Sequence, residues 1–514
     1  MNKFLNNAVI YQIYPITFFD GNDDGKGDFK GMTEKLGYLN ELGVNVLWLS
    51  PIFPSPFRDG GYDVTDFREI NPDFGTKEEF KDFLRVAHEY NMRVLIDFTI
   101  GHTSVDSEWF KQSQKNERNK YSDYYIWTNG WWQSQGEMLK GVSERDGCVA
   151  TNYYSHQIAL NYGYENPDKD WQMDYKDERL KPLRDEIIDI LQEWLLFGVD
   201  GFRIDLAPSV IKNRTTEQPL IWFWNQVIPN VKKVNPHAIF LAEWGDPSLS
   251  VGECGFDSDY LTHEDKEYNE LLRNEANTNV LPFLEKGDSY FRCTGKGNIE
   301  NFLNLTSGII DRVQGKGYYT LPSGYHDIPR ISVNRDVDDL KVFFAFMLSY
   351  KTLPLIYYGD EIGLSYNPKL SKDGGYCRTG ARTPMQWNND KNRGFSKHDI
   401  PYLPTNTVNE EDVETQKTEE KSLWNTVKKL LTIRKENSSL WFDANLRVIE
   451  NSYPLIFERG MGERKITVII NPSSNVYERN AGVKKILVKN NCEVLNDKIY
   501  LQAKSFIIFY GDLT

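Results

Sequence analysis

Positive charge and cysteine are the two things this chain of 514 residues is short of. Lys and Arg number 60 against 74 Asp and Glu, a net charge of −14, which excludes a polyanionic partner such as nucleic acid or an anionic membrane surface. The five cysteines (Cys148, Cys254, Cys293, Cys377 and Cys492) are odd in number, scattered, and form no C-x-x-C pair. Neither a disulfide framework nor a zinc site is expected from them. The opening residues, Met1 to Asn7, hold no apolar run of the secretory kind, so a cytoplasmic protein with reduced thiols is the expectation. The most apolar stretch, residues 342–358, is interrupted by Lys351 and Pro354 and predicts a buried helix followed by a buried strand, not a membrane span. Low-complexity tracts and internal repeats are missing too. Aromatic residues, by contrast, are plentiful: 13 Trp, 29 Tyr and 28 Phe make up 14% of the chain. Such an excess serves either a large core or a surface on which sugar rings stack.

Short β-rich apolar runs alternate with amphipathic helical stretches over most of the length. Strands are predicted at 9–13, 46–49, 94–98, 201–205, 239–243, near 256, at 318–322 and at 355–358, with helices such as 77–90 and 183–197 between them. Eight strands with intervening helices predict an α/β fold, a closed (β/α)8 TIM barrel. The spacing breaks between the third and fourth strands, which predicts an inserted subdomain over 104–170. It is the most aromatic part of the chain, with Tyr121, Tyr124, Tyr125, Trp127, Trp131 and Trp132 close together. The barrel then comprises 1–103 and 171–437, and residues 438–514 turn to short alternating strands, an all-β C-terminal domain expected to be a sandwich.

In a parallel barrel the reactive side chains come from the C-terminal ends of strands. Those ends carry Asp97 and His102 after the third strand, Arg203 and Asp205 at the fourth, Glu243 at the fifth, and His326 and Asp327 after the seventh. A single acid there is more often a salt bridge or a helix cap. Several in register point to glycoside hydrolysis, in which one protonated acid meets the leaving oxygen and one carboxylate faces the oxocarbenium-like carbon. Arg203 and Asp205 are two apart on one strand, so they point to the same side.

These segments resemble the α-amylase superfamily of retaining α-glucoside enzymes along essentially the whole chain. The resemblance rests on Gln12-Ile13-Tyr14-Pro15, Gly61-Tyr62-Asp63-Val64, the run from Asp97 to Ser104, Gly201-Phe202-Arg203-Ile204-Asp205, Leu241-Ala242-Glu243 and the run from Tyr325 to Arg330. Gly27-Asp28-Phe29, the run from Pro54 to Asp59 and the run from Ala381 to Trp387 resemble the branch of oligo-1,6-glucosidases, α-glucosidases and trehalose synthases. The resemblance implies Asp205 as nucleophile, Glu243 as general acid/base and Asp327 as transition-state stabiliser. Arg203 would hold the nucleophile anionic, His102 and His326 would bind the same glucose, and Tyr62 would stack on it. Asp59 and Arg378 would close the glucose pocket. A hydrolase of short α-glucosides is implied, with a trehalose synthase or other transglycosylase as the alternative; no organic cofactor is implied.

The departures carry information. Gly101 and Tyr325 stand where the family usually has Asn, and Ala159 where an Asp in the insertion is usual, so the calcium site of many amylases between barrel and insertion is not expected. Pro208-Ser209 replaces a Lys-His of amylases, and Leu206-Ala207-Pro208 replaces the Val-Ile-Asn of 1,6-specific enzymes. A different loop offers oxygens: Asp20, Asn22, Asp24 and Asp28 occupy positions 1, 3, 5 and 9, with the Lys26 carbonyl at 7 and Gly31 in place of the bidentate Glu at 12. By itself the loop is equally an Asx turn. The resemblance implies a structural Ca2+ or Mg2+ there.

Overall fold

The computed structural model describes residues 1–274, 286–376, 378–406 and 412–513; Cys377 lies outside them. Eight strands form the barrel: β1 (Ile10–Ile13), β2 (Val46–Leu49), β3 (Arg93–Phe98), β4 (Gly201–Ile204), β5 (Ile239–Glu243), β6 (Ser258–Tyr260), β7 (Tyr318–Pro322) and β8 (Leu353–Tyr357). Each pairs in parallel with the next, and β8 pairs with β1 to close the ring. The strands are buried nearly end to end because helices cover their outer face, which is why their sequences are almost continuously apolar. Local signals set the helix boundaries. The helix Lys77–Glu89 starts in a capping box between Thr76 and Glu79, and Phe29–Leu42 stops at Gly43, whose φ of 105° few other residues adopt. Only the sixth strand departs noticeably from the expected place. Phe256 packs against Trp224 outside the barrel, and the strand begins at Ser258, two residues later.

Between β3 and the helix Lys181–Phe197, the strand His102–Ser104 pairs with Gln157–Ala159, and Met138–Lys140 pairs with Cys148–Ala150. The aromatic cluster of this insertion is mostly core. Tyr124, Tyr125 and Trp127 are buried, Phe110 stacks on Trp127, Tyr121 is half-buried, and Trp131 and Trp132 are exposed. The exposed rings of the insertion are these two tryptophans together with Tyr153 and Tyr154, because the insertion has to fill its own interior with the others.

The C-terminal strands β9 (Leu446–Asn451), β10 (Leu455–Arg459), β11 (Ile466–Asn471), β12 (Tyr477–Leu495) and β13 (Lys498–Leu513) hydrogen-bond as one antiparallel sheet in the order β9-β10-β11-β13-β12. In place of two separate sheets, the long β12 curls. Its start and its end both pair with residues 498–501 of β13. One face of the sheet, with Phe457 and Phe506, joins the barrel core through Phe346, and the other encloses Ile456, Ile469, Ile499 and Leu501. Among the described residues, no helix is long and apolar enough to cross a membrane.

Candidate active site

Register builds the site. Asp97 lies opposite Arg203 across β3 and β4, and Glu243 lies opposite Tyr260 across β5 and β6. Arg203 is completely buried, and its Nη1 donates to Asp97 Oδ1 at 2.7 Å and to Asp205 Oδ1 at 2.9 Å. Its Nη2 pairs with Glu243 Oε2 at 2.6 Å. One guanidinium therefore serves three carboxylates. Burial pushes Asp205 well above the usual carboxylate range; Arg203 pulls it down, while Glu243 and Asp97 add to the rise. Asp97 is raised for the same first reason, though Trp48 Nε1 and the Tyr62 hydroxyl both donate to its Oδ2. Three acids around one cation compete for it, so each carboxylate is harder to ionise than it would be alone beside Arg203. Leu206, directly after the nucleophile candidate, sits at φ +43°, a left-handed conformation that costs a non-glycine residue energy. The turn it makes brings its N–H to Glu243 Oε2 at 2.9 Å.

A second cluster surrounds Asp327. Arg378 donates to Asp59 Oδ1 at 2.6 Å and to Asp327 Oδ1 at 2.9 Å, and Gln157 of the insertion donates to Asp59 Oδ2. Asp327 also receives Arg382 Nη2 at 3.0 Å and lies 3.0 Å from His326 Nε2. Burial raises Asp327, but His326, Arg378 and Arg382 together hold it well below the usual carboxylate range. It is anionic at any working pH. His326 lies parallel to Tyr62 at 4.9 Å between ring centroids, so a sugar can meet only the opposite face of Tyr62. His102 is buried beside Tyr62. Its Nε2 contacts the Tyr62 carbonyl at 2.9 Å and its Nδ1 the Asn152 amide at 3.2 Å, which leaves neither nitrogen free. Burial lowers it to about 4, so it is neutral.

Residues 12–443 match the family described as Alpha amylase, catalytic domain. The chain belongs to the α-amylase family. It is 30% identical to an oligo-1,6-glucosidase of Bacillus cereus over 95% of this chain and 91% of that one. It is 29% identical to the trehalose synthase/amylase TreS of Mycolicibacterium smegmatis, over 85% of this chain and 77% of that one. The solved trehalulose synthase MutB of Pseudomonas mesoacidophila shares the fold, with a TM-score of 0.81, 23% identity and 99% of each chain covered.

Several residues around these clusters escaped the sequence reading. Tyr260 touches both Arg203 and Glu243. The Tyr154 hydroxyl accepts from Arg378, and Tyr153 and Tyr154 are both exposed. The departure at Gly101 finds a counterpart in a half-buried lysine. Lys212 Nζ donates to Asn152 Oδ1 at 3.0 Å and to the Ser209 carbonyl at 2.8 Å at the junction of barrel and insertion. A Cβ on Gly101 would lie 2.8 Å from Ser209 Oγ and 3.1 Å from Asn152 Nδ2, so glycine there makes room for this arrangement. Burial lowers Lys212 to about 8.

The loop Asp20–Asp28 supplies only oxygen donors, which suits a hard cation. Asp20 accepts the N–H groups of Asn22, Asp23, Asp24 and Gly25, and Asp28 those of Gly21, Asn22 and Gly31. Asn22 Nδ2 lies 3.3 Å from Asp24 Oδ2. Among the described residues, no three His, Cys, Asp or Glu side chains converge as a metal-binding group.

Beside the acid/base loop, burial raises Asp265 to about 7; the Thr262 N–H and hydroxyl oppose the rise, and Glu267 and Glu264 add to it. Its folded-state value exceeds the unfolded one, so its favourable contribution is complete below about pH 4 and lost as pH rises through about 7. Asp265→Asn should therefore raise the melting temperature by about 3 °C at pH 8 and leave it unchanged at pH 4. Calorimetry at both pH values checks this, and equal shifts would refute it.

Proposed function

We propose that the protein is a retaining α-glucosidase-like hydrolase that removes terminal glucose from short α-glucosides by double displacement. The observation that carries this reading is the pair of linked clusters: Asp205 and Glu243 on one guanidinium, and Arg378 joining Asp59 to Asp327. Asp205 attacks C1 while Glu243 protonates the leaving oxygen; water, deprotonated by Glu243, then releases glucose from the glycosyl-aspartate. Asp327, already anionic, binds ring hydroxyls more tightly as the ring flattens. Two carboxylates bonded to adjacent nitrogens of one guanidinium are close together, which favours direct attack over the wider spacing that an inverting enzyme needs for its water. A pocket closed by the Arg378–Asp59 pair favours terminal units over long chains. The names of the relatives, oligo-1,6-glucosidase and trehalose synthase, agree with short α-glucosides as substrates. The test is a panel of maltose, isomaltose, trehalose, sucrose and maltodextrins with Asp205→Asn as control. Glucose as the product supports hydrolysis, and an isomeric disaccharide with little glucose replaces it with a transglycosylase.

The reading includes a cytoplasmic location, supported by Cys148, Cys254, Cys293 and Cys492 as free thiols. It also includes a structural Ca2+ or Mg2+ held by Asp20, Asn22, Asp24, Asp28 and the Lys26 carbonyl, supported by the oxygen-only donor set of a tightly wound loop. Calcium should raise the melting temperature of the native protein by about 3–5 °C at 100 times its Kd, and Asp24→Ala should abolish that rise with little change in kcat. Identical melting curves with calcium and with chelator would remove the metal.

A further inference from the structure

The hydroxyl of Tyr260 has only one possible orientation. Arg203 Nη2 can only donate, and it donates to this oxygen at 2.8 Å. The phenolic proton must then go to the other neighbour, Glu243 Oε1, 2.9 Å away. Glu243 Oε2 meanwhile faces the Leu206 N–H at 2.9 Å and Arg203 Nη2 at 2.6 Å. Every group around the carboxyl is a donor, so this docked position accepts an ionised Glu243 and has no acceptor for a carboxyl proton. A protonated Glu243 must turn Oε2 away from Leu206 and Arg203, and the one remaining partner is Tyr260 on Oε1.

We propose that Tyr260 is the positioning residue of the acid/base, a one-way donor that pins Glu243 Oε1 as a pivot so that Oε2 carries the transferable proton between the cleft and the docked position. This rests on the glucosidase reading above. In the first step Oε2–H gives its proton to the glycosidic oxygen as the C1–O bond breaks and Asp205 bonds to C1. The carboxylate so formed docks on Leu206 N–H and Arg203. In the second step it takes a proton from water as the hydroxyl oxygen bonds to C1 and the C1–Asp205 bond breaks, so the proton inventory returns to its start.

Tyr260→Phe removes the hydroxyl and keeps the ring, which is fully buried with its centroid 5.6 Å from Trp48 and 5.5 Å from Tyr325. The test compares kcat/KM of wild type and variant on an α-glucoside with an alcohol leaving group and on α-glucosyl fluoride, whose leaving group departs without a proton. With the alcohol, kcat/KM should fall about 30-fold; with the fluoride, it should stay within about threefold. Losing a donor to the carboxylate form should also move the alkaline limb of the kcat/KM profile up by about one pH unit. Placing 3-fluorotyrosine at position 260, a stronger donor of nearly the same shape, should move that limb down and serves if the Phe variant does not fold. Equal losses on both substrates, or an alkaline limb unmoved in either variant, would overturn the proposal while leaving the glucosidase reading intact. A folded wild-type protein inactive on both substrates would overturn the two together.

Discussion

Asp205→Asn should lower kcat by about four orders of magnitude or more and, in the same protein, raise the melting temperature by about 2–5 °C. The first effect follows from removing the only oxygen placed to bond C1 opposite Glu243. The second follows from the crowding around Arg203, where burial and the neighbouring acids hold Asp205 above its ordinary range. An amide at that position still accepts from Arg203 Nη1 but takes one carboxylate off a guanidinium that serves three. Asp97 and Glu243 then share the cation with less mutual repulsion. Stability sacrificed for a reactive constellation is the expected signature of an active site. A purely structural salt bridge would give the opposite pair of results, with activity kept and the melting temperature lowered. Steady-state rates and a melting curve on one preparation separate the two.

Arg378→Ala should raise KM for short α-glucosides about 30-fold and lower kcat about tenfold. Two carboxylates depend on this guanidinium in different ways. Asp59 keeps only Gln157 once Arg378 is gone, so the inner wall of the pocket loses its anchor. Asp327 keeps Arg382 and His326 and stays ionised, but the side facing the pocket is no longer fixed. Binding therefore suffers more than chemistry, which is the reason for the larger effect on KM. The opened end should also let longer chains slide through. Maltoheptaose should yield glucose with the wild type and a mixture of shorter oligosaccharides with the variant. Unchanged KM and an unchanged product pattern would show that the pocket is closed by something other than this bridge.

Much of this site was legible before any coordinates. Barrel strands are short and apolar on both faces, so their ends are easy to read, and Asp97, Arg203, Asp205 and Glu243 stand at those ends because the chemistry requires it. Tyr260 was missed for a local reason. The sixth strand is only three residues long, and the nearby Phe256 offered a stronger apolar signal for a position that packs outside the barrel. The contacts that His102 and Tyr62 make within the protein were not legible, because a sequence does not say which ring nitrogens or faces the protein itself uses. Lys212 and Asn152 belong to segments far apart in the chain, and their meeting depends on how the insertion docks. The aromatic cluster of the insertion misled because an excess of rings serves a core and a sugar surface equally well, and only burial separates them. Its exposed members, Trp131 and Trp132, and the neighbouring Tyr153 and Tyr154 carry the surface reading.

The central claim is that Asp205 and Glu243 act as a close pair in double displacement, and the anomer released first reports on it most directly. Proton NMR recorded during the first seconds to minutes of α-glucoside hydrolysis, before mutarotation, should show α-glucose accumulating ahead of β-glucose. β-Glucose as the first product would mean a single displacement by water, and would contradict the assignment of Asp205 as the nucleophile.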